Sequence, residues 1–155
     1  MPRRGPGSVR VTVVTADGLG AHGRSAARAA ALAPLLRRCG ESLEVPARAS
    51  LGVRLTDDAE LAELNARFRG VEGATDVLAF PADEPGHVGD VAISVDRALG
   101  QAEDGVSELR LLAVHGLLHC LGHDHADAAG AAAMTAETRR LLPGQQIPEL
   151  DPGTE

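Results

Sequence analysis

Aromatic residues are almost missing: the 155-residue chain has two Phe and neither Trp nor Tyr. An aromatic-centred core is therefore excluded, and Ala, Val, Leu and Ile must fill the interior by close interdigitation. Cysteine is scarce too. Cys39 and Cys120 are the two present, too few for a disulfide framework, and both are expected as free thiols. No apolar run approaches the roughly 18 residues of a membrane-spanning helix. The leading Met1-Pro2-Arg3-Arg4-Gly5-Pro6-Gly7 has two arginines but no apolar stretch of secretory type behind them. A cytoplasmic location is the resulting expectation. An excess of positive charge is also lacking. The formal net charge of −7 argues against a basic field for non-specific DNA binding. It leaves room for an RNA substrate held by a few local arginines and a metal.

What is present is a globular composition. Hydrophobic residues make up 44% of the chain, and the length suits one domain over 1–155. Residues 1–7 and 143–155 are rich in Pro and Gly and are expected as loose ends. Alternating, β-branched residues predict strands at 8–15 and 49–55, and short apolar runs predict two more at 77–80 and 88–94. The Ala- and Leu-rich run 24–38 predicts a helix that Pro34 kinks or restarts. Helices are also expected to about Phe68 behind a Thr56 cap, over 96–103, over 109–121 behind a Ser107 cap, and over 126–142. Four strands and about five helices in this order predict an α+β fold, a small sheet with helices packed on it.

The chemistry concentrates in His115-Gly116-Leu117-Leu118-His119-Cys120-Leu121-Gly122-His123-Asp124-His125. His115 and His119 are four apart on a helix, so one face presents both imidazoles to a single ion. Gly122 allows a left-handed exit from the helix, after which the chain can return His125 to the same ion. Three nitrogen ligands and an open position are the plan of a catalytic zinc site. A buried histidine is more often a satisfied core residue. Here, however, four of the six histidines fall within eleven residues, and polar groups inside an apolar helix are costly without compensation. Position 116 is Gly, so the adjacent Glu of the H-E-x-x-H motif is absent; Gly116 instead permits a close approach. His123 is a weaker fourth candidate. Asp124 is expected to cap the next helix rather than orient a histidine, and Cys120 to be a core thiol.

This segment resembles the H-G-x-L-H-L-x-G-x-D-H signature of the YbeY family, the bacterial endoribonucleases and rRNA maturation factors. Further blocks agree in order: Leu64-Asn65, Arg69-Gly70, Thr75-Asp76-Val77-Leu78-Ala79-Phe80-Pro81 and Gly89-Asp90-Val91-Ala92-Ile93-Ser94. Cys120, His123 and Ala79 stand where the family usually has Leu, Tyr and Ser. The resemblance implies a single-domain, zincin-like metal-dependent hydrolase fold with a mixed four-stranded sheet. It implies one zinc ion on His115, His119 and His125, and Arg69 as a functional arginine. It also implies cleavage of single-stranded RNA in 16S rRNA 3′-end processing, ribosome assembly and ribosome quality control. Contacts with small-subunit proteins and an assembly GTPase would follow by analogy.

On this reading Arg69 forks onto a phosphate, a task its planar guanidinium suits better than an ammonium would. Thr75, Asp76 and Asp90 are expected in structural roles, with a supporting role to a metal ligand as the alternative for the first two. Two rival readings remain: a ribosome-assembly factor with a structural metal, and a metal hydrolase of another substrate class such as a peptidase or amidohydrolase. The missing Glu at 116 argues against the peptidase. Three His without a clear fourth ligand argue against a closed structural site.

Overall fold

A computed structural model of the protein describes residues 9–153; residues 1–8 and 154–155, including the expected strand residue Ser8, lie outside the described residues. The elements run β1 (Arg10–Thr15), α1 (Ala21–Ala30), α2 (Leu32–Ser42), β2 (Ser50–Thr56), α3 (Asp58–Arg69), β3 (Val77–Pro81), β4 (His87–Ser94), α4 (Val95–Gln101), α5 (Gly105–Cys120) and α6 (Ala128–Leu141). The sheet order is β1-β2-β4-β3. β1, β2 and β4 are mutually parallel, and β3 pairs antiparallel with β4 at one edge. The expected mixed four-stranded α+β architecture is thus borne out. No helix among the described residues is long and apolar enough to cross a membrane.

The described residues form six helices rather than about five. The run 24–38 divides at Ala31, which adopts a left-handed conformation at φ 48°. Pro34 then lies in the first turn of α2, where its missing N–H costs nothing. In a continuous helix its ring would meet the Ala30 carbonyl. Two caps also shift. Asp57, not Thr56, accepts from the Glu60 amide at 2.9 Å, while the Thr56 hydroxyl bonds to the Glu60 carboxylate. Asp104, not Ser107, caps α5. Its carboxylate accepts from the Ser107 amide at 3.1 Å and from the Ser107 hydroxyl at 2.8 Å. A carboxylate three residues upstream captures the free amide and adds a turn to the helix.

Strand alternation divides the sheet into two faces. Leu51, Val53 and Leu55 of β2 and Val91 and Ile93 of β4 join the main core with Leu109, Leu117 and Leu118 of α5. α1 and α2 flank α5 on this side and α6 packs on it as well. Surrounded this way, the middle of α5 is apolar around most of its circumference, as a helix packed on several sides must be. The other face carries a smaller cluster, Leu61 of α3 with Leu78 and Ala92.

Two glycines set the path of α5. A Cβ at Gly116 would fall 2.5 Å from Val91 Cγ1, so only glycine lets the helix lie this close to β4. Gly122 (φ 101°) ends the helix. Its amide donates to the His119 carbonyl at 3.0 Å, and the His123 amide to the Leu118 carbonyl at 3.0 Å. This is the left-handed exit expected from the sequence.

The tail after α6 is not loose over 143–153. Ile147 is buried, Arg139 donates to its carbonyl at 3.0 Å, and Gln145 donates to the Ser107 carbonyl at 2.8 Å. Leu150 donates to the Thr135 hydroxyl at 3.2 Å. Pro and Gly rule out helix and strand here, but they do not prevent Ile147 and Leu150 from burying apolar surface.

A methyl added at position 116 has no room, because Val91 is β-branched and cannot swing aside. Gly116→Ala is expected to destabilise by about 1–3 kcal/mol, a fall of several degrees in Tm. Adding Val91→Ala should recover part of the loss. Thermal unfolding of the two variants checks this, and an unchanged Tm for the single variant would contradict the close approach.

Candidate metal centre

The one-turn spacing on α5 brings the His115 and His119 Nε2 atoms to 3.1 Å, with ring centroids 4.6 Å apart. The chain leaves α5 at Gly122 and returns His125, whose ring lies 5.5 Å from His115 and 5.3 Å from His119. Asp124 helps shape this return by accepting from the Ala126 amide at 2.7 Å. Asp127 caps α6 instead, accepting from Gly130 at 2.7 Å. The tail completes the turn, with the Gly153 amide donating to the His125 carbonyl at 2.6 Å.

One ligating atom from each of the three histidines falls within 4.8 Å of the others. His125 is 3% exposed, and its Nδ1 is buried without a hydrogen-bond partner among the described residues. Such an orphan is costly and calls for an explanation. Burial, reinforced by His119 and His125, pushes the His115 imidazole down to about 3. The ring is therefore neutral, the form in which imidazole donates to a metal. Three imidazole donors around a common point fit a divalent cation.

The other sequence candidates fall elsewhere. His123 is half-buried and outside the cluster. Cys120 turns toward the sheet, its thiol 3.9 Å from the Asp90 carbonyl; burial raises it to about 11, as it does Cys39. Both are free thiols. Asp90 is exposed on the sheet face opposite α5 and bonds to His87 Nε2 at 3.0 Å. His87 Nδ1 meets the Ser50 hydroxyl at 2.7 Å. This chain joins residues 37 apart in sequence, and no local signal marks it. Asp76 does not cap its turn with its side chain. Its backbone carbonyl accepts from Ser94 at 2.9 Å, and its carboxylate takes a hydrogen bond from Gln101 at 3.1 Å.

Arg69 is the last residue of α3 and is exposed. α3 packs on the sheet face away from α5, so the histidines come together without it. The position of α3 is secured at its start. Arg97 donates to both Asp58 carboxylate oxygens at 2.9 Å, and Ser94 donates to one at 3.0 Å. The Arg97 guanidinium beside Asp58 holds its carboxyl below the ordinary value of 3.8.

A mixed sheet with an antiparallel edge strand, crossed by a helix that carries two histidines toward a third, defines a zincin-like α+β protein with a candidate metal centre. The chain belongs to the YbeY family: the family model described as Endoribonuclease YbeY matches residues 24–145. Relatives named Endoribonuclease YbeY are similar to it. The one from Gloeobacter violaceus is 48% identical over 111 residues, covering 63% of this chain and 57% of that protein. The one from Moorella thermoacetica is 44% identical over 117 residues, covering 64% and 75%. The one from Chloroflexus aggregans is 40% identical over 136 residues, covering 75% and 89%. The match thus spans little more than half of the first relative and most of the third. A solution structure of a Thermotoga maritima protein shares the fold, with a TM-score of 0.56 at 23% identity over 86% of this chain and 85% of that one.

The Asp58 pair has a pH signature of known sign. Its folded-state pKa lies below the unfolded value, so its contribution is complete above 3.8 and is lost as pH falls through the lower folded value. Wild type should exceed Asp58→Asn in stability at neutral pH, and the gap should close on acidification. Urea unfolding over a pH series measures this. A gap undiminished at the acid end would count against the ion pair.

Proposed function

We propose that the protein is a zinc-dependent endoribonuclease that cleaves single-stranded RNA in the cytoplasm, acting on the 3′ end of 16S rRNA precursor during ribosome maturation. The observation that carries this reading is the convergence of His115, His119 and His125 on one point. The family membership and the relatives' names supply the substrate class. Docking on small-subunit proteins and an assembly GTPase belongs to the same proposal.

The three histidines would hold one ion, and their imidazole donors suit zinc. When bound, such an ion polarises a phosphoryl oxygen and makes water a nucleophile near neutral pH. The chain's own contribution is to keep the His115 imidazole neutral by burial and to bring the three rings together through the one-turn spacing on α5 and the return of His125. Arg69 is proposed to bind the RNA phosphate through its fork of N–H donors. Among the described residues the cluster has three members, which favours an open site over a closed structural one. Gly116, packed on Val91, leaves no place for the neighbouring base of a peptidase.

His115→Ala and His119→Ala should each lose bound metal and at least about 100-fold in cleavage, the scale on which metal sites respond to lost partners. Arg69→Glu should keep metal and fold yet lose cleavage to a similar extent. Elemental analysis beside cleavage of a single-stranded rRNA 3′-end substrate tests all three. Full metal retention in both histidine variants would refute the ligand assignment. No cleavage by loaded wild type would refute the ribonuclease.

A further inference from the structure

The chain's two phenylalanines meet each other at the surface. Phe68, near the end of α3, and Phe80, on β3, pack edge to face with ring centroids 5.6 Å apart. Phe80 is half-buried, but Phe68 is 59% exposed, although a phenyl ring is among the groups that gain most from burial. The exposure is not that of a loose end. Gly70 ends α3 in a left-handed conformation at φ 68°. Its amide donates to the Ala66 carbonyl at 3.2 Å, and the Val71 amide to the Asn65 carbonyl at 3.3 Å. Asn65 is itself buried and donates from its side chain to the Gly73 carbonyl at 2.9 Å. The outward ring thus sits on a helix end whose exit is tied down.

The charge beside Phe68 is positive. The Arg67 guanidinium carbon lies 5.6 Å from the centre of the Phe68 ring, within the reach of a cation–π contact, and among the described residues no carboxylate pairs with it. From Ala66 to Val71 the chain carries two arginines and no acid, against a net charge of −7 for the whole, and Glu72 lies past the turn at Gly70. On the other side of the pair, Phe80 lines a cavity of about 490 Å³ over the sheet, with Leu64 of α3 and Val14 and Arg54 of the strands. An exposed ring flanked by guanidinium groups suits a ligand that is flat and apolar in one part and anionic in the next. An unpaired strand of RNA has that alternation. In a duplex the bases stack on one another and do not offer their faces.

We propose that Phe68, braced by Phe80 and flanked by Arg67, is a stacking platform that anchors an unpaired base of single-stranded RNA on the sheet face away from the histidines. Every base has a π-face, so the platform grips a strand without reading its sequence. Arg67 meets the phosphate beside the stacked base. Phe68 touches the substrate but not the reacting atoms, so its contribution is to binding, the same in the ground state and in the transition state.

The platform rests on the single-stranded RNA reading, and the test separates their fates. Metal-loaded protein is mixed by stopped flow, ahead of cleavage, with a short single-stranded RNA carrying 2-aminopurine, whose fluorescence is quenched on stacking. Phe68→Ala and Phe68→Leu should each weaken binding about tenfold, the scale of one lost base–aromatic stack, and should remove the quenching with metal content unchanged. Phe68→Tyr should bind as wild type does. Leucine keeps an apolar cover on Phe80 but has no ring face. Equal binding by Phe68→Leu and wild type therefore overturns the platform, even if Phe68→Ala fails to fold. Arg67→Ala should flatten the slope of log affinity against log salt by about one, and an unchanged slope would remove Arg67 from the platform. In cleavage, Phe68→Leu should raise KM and leave kcat in place. No RNA binding by wild type overturns the platform and leaves the exposed ring to a protein partner. Binding that depends on Phe68 with no cleavage keeps the platform and overturns the ribonuclease. Metal-dependent cleavage indifferent to Phe68 does the reverse.

Discussion

Imidazole nitrogens buried in an apolar interior raise the free energy of the fold unless each finds a partner. α5 sets two half-buried histidines beside the buried His125, and much of the structure follows from accommodating the three. The helix lies against β4 at Gly116 and Val91, held among α1, α2 and α6, and water is largely kept from the His115 ring. Desolvation then keeps that ring neutral. A group that would be a base in water is thereby kept as a neutral nitrogen donor. The third histidine is brought in by the turn at Gly122 and tied from behind by the Gly153 amide. Asp104 at the start of α5 and the left-handed glycine at its end hold the helix in register, so both imidazoles stay over the same point.

The two faces of the sheet divide the protein's polar chemistry. One face carries the histidines and a cavity lined in part by Asp76 and Glu108. The other carries α3 with Arg69, the edge-to-face pair Phe68 and Phe80, and the Ser50–His87–Asp90 chain. β3 is the edge strand between them and packs against both α3 and α5. The Asp58–Arg97 pair fixes the start of the helix from which Arg69 projects.

Where the sequence reading and the structure part, the cause is a neighbour that a local pattern does not reveal. Ser107 and Thr56 have good capping chemistry, yet Asp104 and Asp57 cap the helices, their carboxylates accepting from the Ser107 and Glu60 amides. Pro34 marked a break, but its position at Ala31 follows from the clash of the proline ring with the carbonyl four residues earlier. Residues 143–153 have the composition of a loose end. They are ordered by Ile147 and Leu150, which bury apolar surface on α5 and α6, and no window of sequence contains both partners. The pairing of Asp76 with Glu108 through Gln101 joins α4, α5 and the turn before β3 and has no linear signature.

The sequence by itself determined the strand and helix order and the histidine triad. Both are short-range matters: alternation at period two, a four-residue helical repeat, and a glycine that can turn left-handed. Tertiary structure alone decided which side of the sheet each group faces. It also decided that two carboxylates share a cavity with the imidazoles. Those outcomes depend on the register of β4 against β2 and β3 and on the path of the tail. They are set by packing between segments far apart in the chain, where the free energy belongs to pairs of surfaces and not to any one stretch of residues.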